Sequence, residues 1–158
     1  MCSSDLEALY RSAEAIFNLA QGGSYEEKQQ VYAEAMDAYD EVPRRYPKSD
    51  YVDDSLYQKA WALINQERKE EALPLFEQIV SDHPDGRYGA RSQFTLGDYY
   101  YGEKNYQMAT ASYEKFLELY PDDRLGSSDK RLRKQARELL GHLSEIEAFE
   151  LYTEGDKL

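Results

Sequence analysis

The chain has 158 residues, of which 41% are hydrophobic, and this length fits one domain with a buried core. Its formal net charge of −12 argues against binding to nucleic acid or to anionic membrane surfaces. Five prolines, nine glycines and few runs of β-branched residues favour helices over strands.

Residues 1–6 are interpreted as a leader that is not native to the protein. The segment "CSSDL" can be encoded by codons that resemble the end of a common sequencing adapter. Cys2 is the only cysteine, so the sequence offers no internal disulfide and no paired-thiol metal site. We therefore assign Cys2 no function.

The clearest pattern in the chain is an internal repeat of 37 residues. It is marked by Pro47, Pro84 and Pro121, which close the phrases "RRYP", "SDHP" and "ELYP". Each proline follows an alanine and an aromatic residue at fixed distances: Ala35 and Tyr39, Ala72 and Phe76, Ala109 and Tyr113. The pattern predicts three helical hairpins and a partial fourth repeat that is a single long helix. Their ranges are 7–47, 48–84, 85–121 and 122–158.

The first repeat departs from this pattern because it is longer. Leu9, Tyr10 and Ala13 resemble Leu56, Tyr57 and Ala60 of the second repeat, but at an offset of 47 residues instead of 37. Ten extra residues therefore lie within the first hairpin, which turns at "QGGS". Ser24 followed by Glu27 predicts a capping box at the start of its second helix.

In the second repeat, apolar residues recur at helical spacing on both sides of the polar turn "NQERK". Leu56, Ala60 and Leu63 share one face of the first helix, and Ala72, Phe76 and Ile79 share one face of the second. The small residues Ala60 and Ala72 are expected where the antiparallel helices cross closely. Pro74 is tolerated in a first helical turn, so we expect the second helix to begin between Glu70 and Ala72.

The third repeat carries a family resemblance. Its residues Leu96, Gly97, Tyr100, Ala109, Tyr113 and Pro121 match the tetratricopeptide repeat pattern, with Gln93 where that family usually has tryptophan. The extended links between repeats resemble the outer-membrane β-barrel assembly lipoprotein and the periplasmic cell-division coordinators. The segment "HLSEIEAFELYTEGD" resembles the fourth-repeat helix of the assembly lipoprotein. The resemblance implies an all-α, right-handed α-α superhelix of about seven helices.

In such solenoids the first helix of each pair lines a concave groove. Helical spacing places eight residues on that side: Asp54, Tyr57, Trp61, Asn65, Arg91, Phe94, Asp98 and Tyr101. Exposed aromatic rings flanked by charge are typical anchors for a protein or peptide partner. The alternative is that these rings pack between adjacent first helices and bind nothing.

The last helix contains the only basic cluster, "KRLRKQAR". Its predicted buried seam consists of Leu132, Ala136, Leu139 and Leu143, which leaves Arg133 and Arg137 beside the groove. The cluster is interpreted as a solvated face, or alternatively as a docking patch for an acidic partner. Ile146 and Phe149 are expected to stay partly exposed, which suggests either a longer repeat array or a homodimer through this helix.

No constellation of catalytic residues is present. His83 and His142 have no partner at a metal-ligand spacing, and neither a phosphate-binding loop nor a nucleophile elbow occurs. No apolar segment approaches the roughly 18 residues that cross a bilayer. We therefore predict no catalysis, no cofactor, no metal, no nucleic-acid partner and no direct membrane insertion of this chain.

The main functional hypothesis is a non-catalytic scaffold that binds proteins. The resemblance implies a role in a bacterial envelope assembly, in the periplasm or at the periplasmic face of the outer membrane. Two alternatives remain open: a cytoplasmic tetratricopeptide adaptor, and a regulatory domain of a larger enzyme.

Overall fold

The computed structural model describes residues 3–19, 22 and 24–155. Over these residues the chain forms seven α-helices and no strand. They are α1 (Ser3–Leu19), α2 (Tyr25–Arg45), α3 (Tyr51–Asn65), α4 (Lys69–Asp82), α5 (Gly89–Gly102), α6 (Tyr106–Leu119) and α7 (Lys130–Gly155). This confirms the predicted all-α fold class. Cys2 lies outside the described residues, and the interpretation of residues 1–6 as a leader stays a prediction.

The predicted helix-ending prolines lie just beyond three helix ends. Helices α2, α4 and α6 each end two residues before Pro47, Pro84 and Pro121. Because proline lacks an N–H and disfavours helix in the residue before it, the chain leaves the helix at these points. The predicted capping box is also present: Ser24 Oγ accepts from Glu27 N–H at 3.4 Å, and the Glu27 carboxylate accepts from Ser24 N–H at 2.8 Å.

The start of α4 differs from the sequence expectation. The helix begins at Lys69, so Pro74 is its sixth residue and lies in the second turn, not the first. Because proline has no N–H, one helical hydrogen bond is missing, the one from residue 74 to the Glu70 carbonyl. Pro74 is exposed, so that carbonyl can be solvated. A second proline, Pro43, lies in the last turn of α2.

The two turns within the second and third repeats have the same backbone conformation. Glu67 and Lys104, 37 residues apart, are left-handed, with φ angles of 62° and 58°. The next residue in each turn bonds back into the first helix: Arg68 N–H to Leu63 C=O and Asn105 N–H to Tyr100 C=O, both at 2.9 Å. The repeat period seen in the sequence is thus also a period of the backbone.

The chain divides into two compact units, the first of which comprises residues 1–89. Helices α1 and α2 enclose one cluster of buried residues: Tyr10, Ala13, Ala35, Tyr39 and Val42. Helices α3 and α4 pack together through the predicted faces, with Ala60 and Ala72 almost fully buried. The small side chains therefore lie in the core, as the sequence predicts.

The second unit comprises residues 90–158, and its core is built by α5, α6 and α7. Gly97 lies against the ring of Tyr113, so closely that an added Cβ would be 2.5 Å from Tyr113 Cε1. Gln93, which replaces the tryptophan of the family pattern, is 2% exposed. Its amide Nε2 donates to the Ser112 carbonyl at 3.0 Å, which ties α5 to α6.

Candidate functional site

The candidate residues on α3 change from buried to exposed along the helix. Asp54, in the first turn, is 6% exposed, whereas Tyr57 and Trp61 are partly buried and Asn65 is exposed. The four residues share one face because they are separated by three, four and four positions. Only the C-terminal half of this face is therefore accessible to a partner.

The rings on this face belong to an aromatic cluster. Tyr57 is stacked on Tyr88, with ring centroids 4.1 Å apart, and meets Trp61 and Phe76 edge-on at 6.1 and 5.8 Å. Trp61 also contacts Phe76 edge-on, at 6.2 Å. Edge-to-face and stacked arrangements are the favoured geometries of aromatic pairs. The cluster thus holds the indole of Trp61 in a fixed orientation while leaving part of it exposed.

The Asp54 carboxylate is buried and lies next to a cationic side chain. Arg87 Nη1 lies 3.5 Å from its Oδ2, and the Arg87 side chain is largely exposed. Burial raises the pKa of Asp54 to about 6; the charges of Asp53 and Glu14 act in the same direction, and Arg87 opposes them. Removing a carboxylate from water disfavours its charged form, so Asp54 has a high pKa despite its cationic neighbour.

Asp53 fixes the link between α4 and the next helix. Its Oδ1 accepts from the Asp54 N–H at 3.0 Å, and its Oδ2 accepts from the Tyr88 N–H at 3.4 Å. A Cβ added to Gly86 would lie 2.3 Å from Asp53 Oδ2, so glycine is needed for this close approach. Asp53 and Gly86 are not among the predicted site residues, since nothing local in the sequence joins residues this far apart.

A cleft of about 800 Å³ lies in the first unit, between residues 48–54 and 82–87. Its lining includes five aspartates: Asp50, Asp53, Asp54, Asp82 and Asp85. In the part of the chain that the structure describes, no group of three or more His, Cys, Asp or Glu side chains is placed to hold a metal ion. Among those same residues, no helix combines the length and the hydropathy needed to cross a bilayer.

In the second unit, two candidate residues of α5 bond to residues at or near α7. Arg91 Nε lies 2.8 Å from Asp129 Oδ1, immediately before α7. The Tyr101 hydroxyl and His142 Nδ1, within α7, are 2.8 Å apart. Both side chains are only partly exposed. These contacts attach the α5 face to the last helix.

The other two candidates on α5 contact α6. Phe94 is 7% exposed, and its ring centroid is 5.5 Å from those of both Tyr113 and Phe116. Its burial differs from the exposure expected of an anchor, because these two rings of α6 cover it. Asp98 accepts a hydrogen bond from the Tyr113 hydroxyl at 2.6 Å.

The two candidate arginines of α7 have different environments. Arg133 is 9% exposed; its Nη1 donates to the carbonyls of Leu117 and Tyr120, and its Nε lies 3.1 Å from Asp122 Oδ1. Its guanidinium thus caps the C-terminal end of α6, where carbonyls lack partners within the helix. Arg137, one helical turn later, is exposed.

Comparison with known families gives two matches. Residues 52–126 match the family described as outer membrane lipoprotein, YfiO. Residues 7–49 match a tetratricopeptide repeat family. No curated protein matches the chain. The two matched ranges cover most or all of each helix in the three predicted hairpins.

Proposed function

We propose that this chain, which matches a tetratricopeptide repeat family over residues 7–49 and an outer membrane lipoprotein family over residues 52–126, is a non-catalytic scaffold that binds proteins in the bacterial envelope. The observation that carries the proposal is the match over residues 52–126, which contain the aromatic cluster of α3. The same match supports a location on the periplasmic side of the outer membrane.

Within the first unit, the proposed contact for a protein partner is Trp61 together with Asn65. The indole is held by Tyr57 and Phe76, so little side-chain entropy remains to be lost when a partner covers it. Tryptophan is enriched among the residues that dominate binding energy, and an exposed amide one turn away supplies hydrogen bonds. Tyr57 supports this contact through packing, because its ring meets that of Trp61 edge-on at 6.1 Å. Asp54 is buried and contributes no exposed contact.

In the second unit, the proposed contacts are Asp98 and Tyr101, whose side chains are exposed or partly exposed. Arg137 is exposed on α7 and is not assigned to this contact. Arg91 is half-buried and paired, and it supports the position of α5. Phe94 and Arg133 are buried and support the site indirectly. Phe94 belongs to the core of the unit, and Arg133 caps α6.

The scaffold function is tested by capturing partners with the whole chain from envelope and cytosolic extracts. Enrichment of envelope proteins supports the proposal. A partner found only in the cytosolic extract would favour the adaptor alternative, and an attached catalytic domain in a longer form of the chain would favour the regulatory alternative.

The site is then tested with the captured partner and the Trp61→Ala variant. We expect this variant to weaken binding by about 1–4 kcal/mol, in the range of interface anchor residues. Trp61→Phe, which keeps a ring against Phe76, should bind with intermediate affinity. The matched control is Tyr25→Ala, because Tyr25 is an aromatic residue in the same unit that is 76% exposed. Equal affinities of all three variants and the unchanged chain would overturn the assignment of Trp61.

A further inference from the structure

Helix α7 is divided by charge along its length. Its first eight residues include five cations and no carboxylate: Lys130, Arg131, Arg133, Lys134 and Arg137. Its later half carries Glu145, Glu147 and Glu150, and no lysine or arginine occurs between Glu138 and Gly155. The helix therefore has a basic first half and an acidic second half.

One face of α7, here called the outer seam, is exposed over its described length. Its residues recur at alternating intervals of four and three: Lys130, Lys134, Arg137, Gly141, Ser144, Ala148 and Leu151. All seven are exposed, whereas Ala136 and Leu143, on the opposite side of the helix, are in the core of the second unit. This alternation is the spacing of the seam in a pair of coiled helices.

The acidic end of this helix also exposes large apolar side chains. Phe149, Leu151 and Tyr152 are 68%, 66% and 69% exposed, and the last α7 residue in the core cluster is Leu143. Exposed apolar area of this kind indicates a contact surface, since covering it would remove it from water. A partner for this face must suit both the exposed apolar side chains and the change from basic to acidic residues along the helix.

We propose that the outer seam binds a second copy of this chain, with the two α7 helices antiparallel. An antiparallel pair places the basic half of each helix opposite the acidic half of the other. A parallel pair would place like charges together, which is repulsive. A uniformly acidic or uniformly basic partner would suit only one half of the helix. The second copy suits both halves and gives a contact with two-fold symmetry.

The spacing of the seam also sets the register of the pair. With the two-fold axis between Gly141 and Ser144, Lys134 lies opposite Leu151 of the second copy, and Arg137 lies opposite Ala148. A Cβ placed on Gly141 meets no atom within 4 Å, so this side of the helix centre is open to a close crossing. The aliphatic stems of Lys134 and Arg137 then cover the apolar end, with their cations beside the opposing Tyr152 ring and Glu145.

The first measurement is analytical ultracentrifugation of the whole chain over a range of concentrations and salt. We expect a monomer–dimer equilibrium whose dissociation constant rises with ionic strength, because exposed charges are screened by salt. A chain that stays monomeric at every concentration would overturn the proposal and leave the seam to a different partner.

The second measurement reverses the charges. The pairs Lys134→Glu with Arg137→Glu, and Glu145→Lys with Glu147→Lys, should each weaken self-association by at least about tenfold. Mixing the two variants should restore a dimer, because each then presents the charge that the other lacks. Restoration also shows that both variants are folded. Loss without restoration, or no loss, would overturn the interface.

Orientation is measured by disulfide formation in a background where Cys2 is replaced by serine. Lys134→Cys mixed with Leu151→Cys should cross-link, whereas Lys134→Cys alone should not. The reverse result would overturn the antiparallel arrangement. The outcome does not depend on the proposed scaffold function, since only self-association is measured.

Discussion

The second and third repeats place different chemistry at equivalent positions. In the hairpin of α3 and α4, Trp61 meets Phe76 edge-on at 6.2 Å. Thirty-seven residues later, in the hairpin of α5 and α6, Asp98 accepts a hydrogen bond from the Tyr113 hydroxyl at 2.6 Å. An apolar pair in one repeat is thus a polar pair in the other. The repeat preserves the positions of contact between its two helices, but it does not preserve the type of interaction.

Two further position pairs extend the comparison. Ala60 in the second repeat corresponds to Gly97 in the third, where the Tyr113 ring leaves no room for a Cβ. Asp54 corresponds to Arg91, so a buried acid in one hairpin is replaced by a paired base in the other. A residue's repeat position therefore predicts whether it makes a contact, while its partner determines which side chain can be accommodated.

The largest expected effect concerns Asp54. Its folded-state pKa of about 6 is above its usual 3.8, so the folded chain binds this proton more tightly than the unfolded chain. Protonation of Asp54 stabilises the folded chain. This stabilisation has its full value below about pH 4 and is lost as the pH rises through about 6. Asp54→Asn should therefore raise the free energy of unfolding at pH 7 by up to about 3 kcal/mol.

The measurement is urea unfolding at pH 7 and pH 5, followed by the emission of Trp61, which lies in the same unit. The unchanged chain should gain about 1 kcal/mol at pH 5, and the Asp54→Asn chain should gain little. Arg91→Gln is the matched control in the other hairpin, because a guanidinium does not titrate in this range. An identical pH dependence in the unchanged chain and in Asp54→Asn would contradict the prediction.

The second effect concerns the position shared by Ala60 and Gly97. Gly97→Ala should lower the free energy of unfolding by about 1–3 kcal/mol, because the fully buried Tyr113 ring must move to admit the methyl group. The control is Gly141→Ala in the same unit, measured at a concentration at which the chain is monomeric, since an added Cβ there meets no atom of the same chain within 4 Å. That change should raise helix stability by about 0.5–1 kcal/mol. Thermal melts of the two variants should shift in opposite directions, and equal shifts would refute the packing explanation.

The smallest effect tests what the two repeats share. Glu67 and Lys104 both adopt the left-handed conformation, which favours glycine. Glu67→Gly and Lys104→Gly should each raise the free energy of unfolding by about 0.5–1 kcal/mol, and by similar amounts. Alanine at either position should give no gain. A gain in only one of the two would show that the turns are equivalent in backbone but not in energy.

The helices and their pairing could be predicted from the sequence because their signals are local. A repeated proline, a capping box and apolar residues at helical spacing act within one or two helical turns. The close contact at Gly97 follows from the repeat pattern as well. The observed start of α4, at Lys69, is only one residue before the predicted range. The helix begins two residues after the left-handed residue Glu67, and Pro74 is accommodated in its second turn.

The accessibility of the candidate site could not be predicted in the same way. Helical spacing identifies which residues share a face, but not which distant residues cover that face. Phe94 is covered by rings of α6, and Tyr101 bonds to His142, 41 residues later. Asp54 is buried although its neighbours in the sequence are polar. These outcomes depend on tertiary contacts that have no local sequence pattern.

The guanidinium of Arg133 has a consequence for how the second unit opens. Because it caps α6 from within α7, the start of the last helix cannot detach without leaving the Leu117 and Tyr120 carbonyls without these bonds. The end of α7 beyond Leu143 has no such tie to α6 in the core cluster. In the monomer, amide hydrogens near Arg133 should therefore exchange together with those of α6, while those beyond Leu143 exchange earlier and independently. One helix would then belong to two cooperative units.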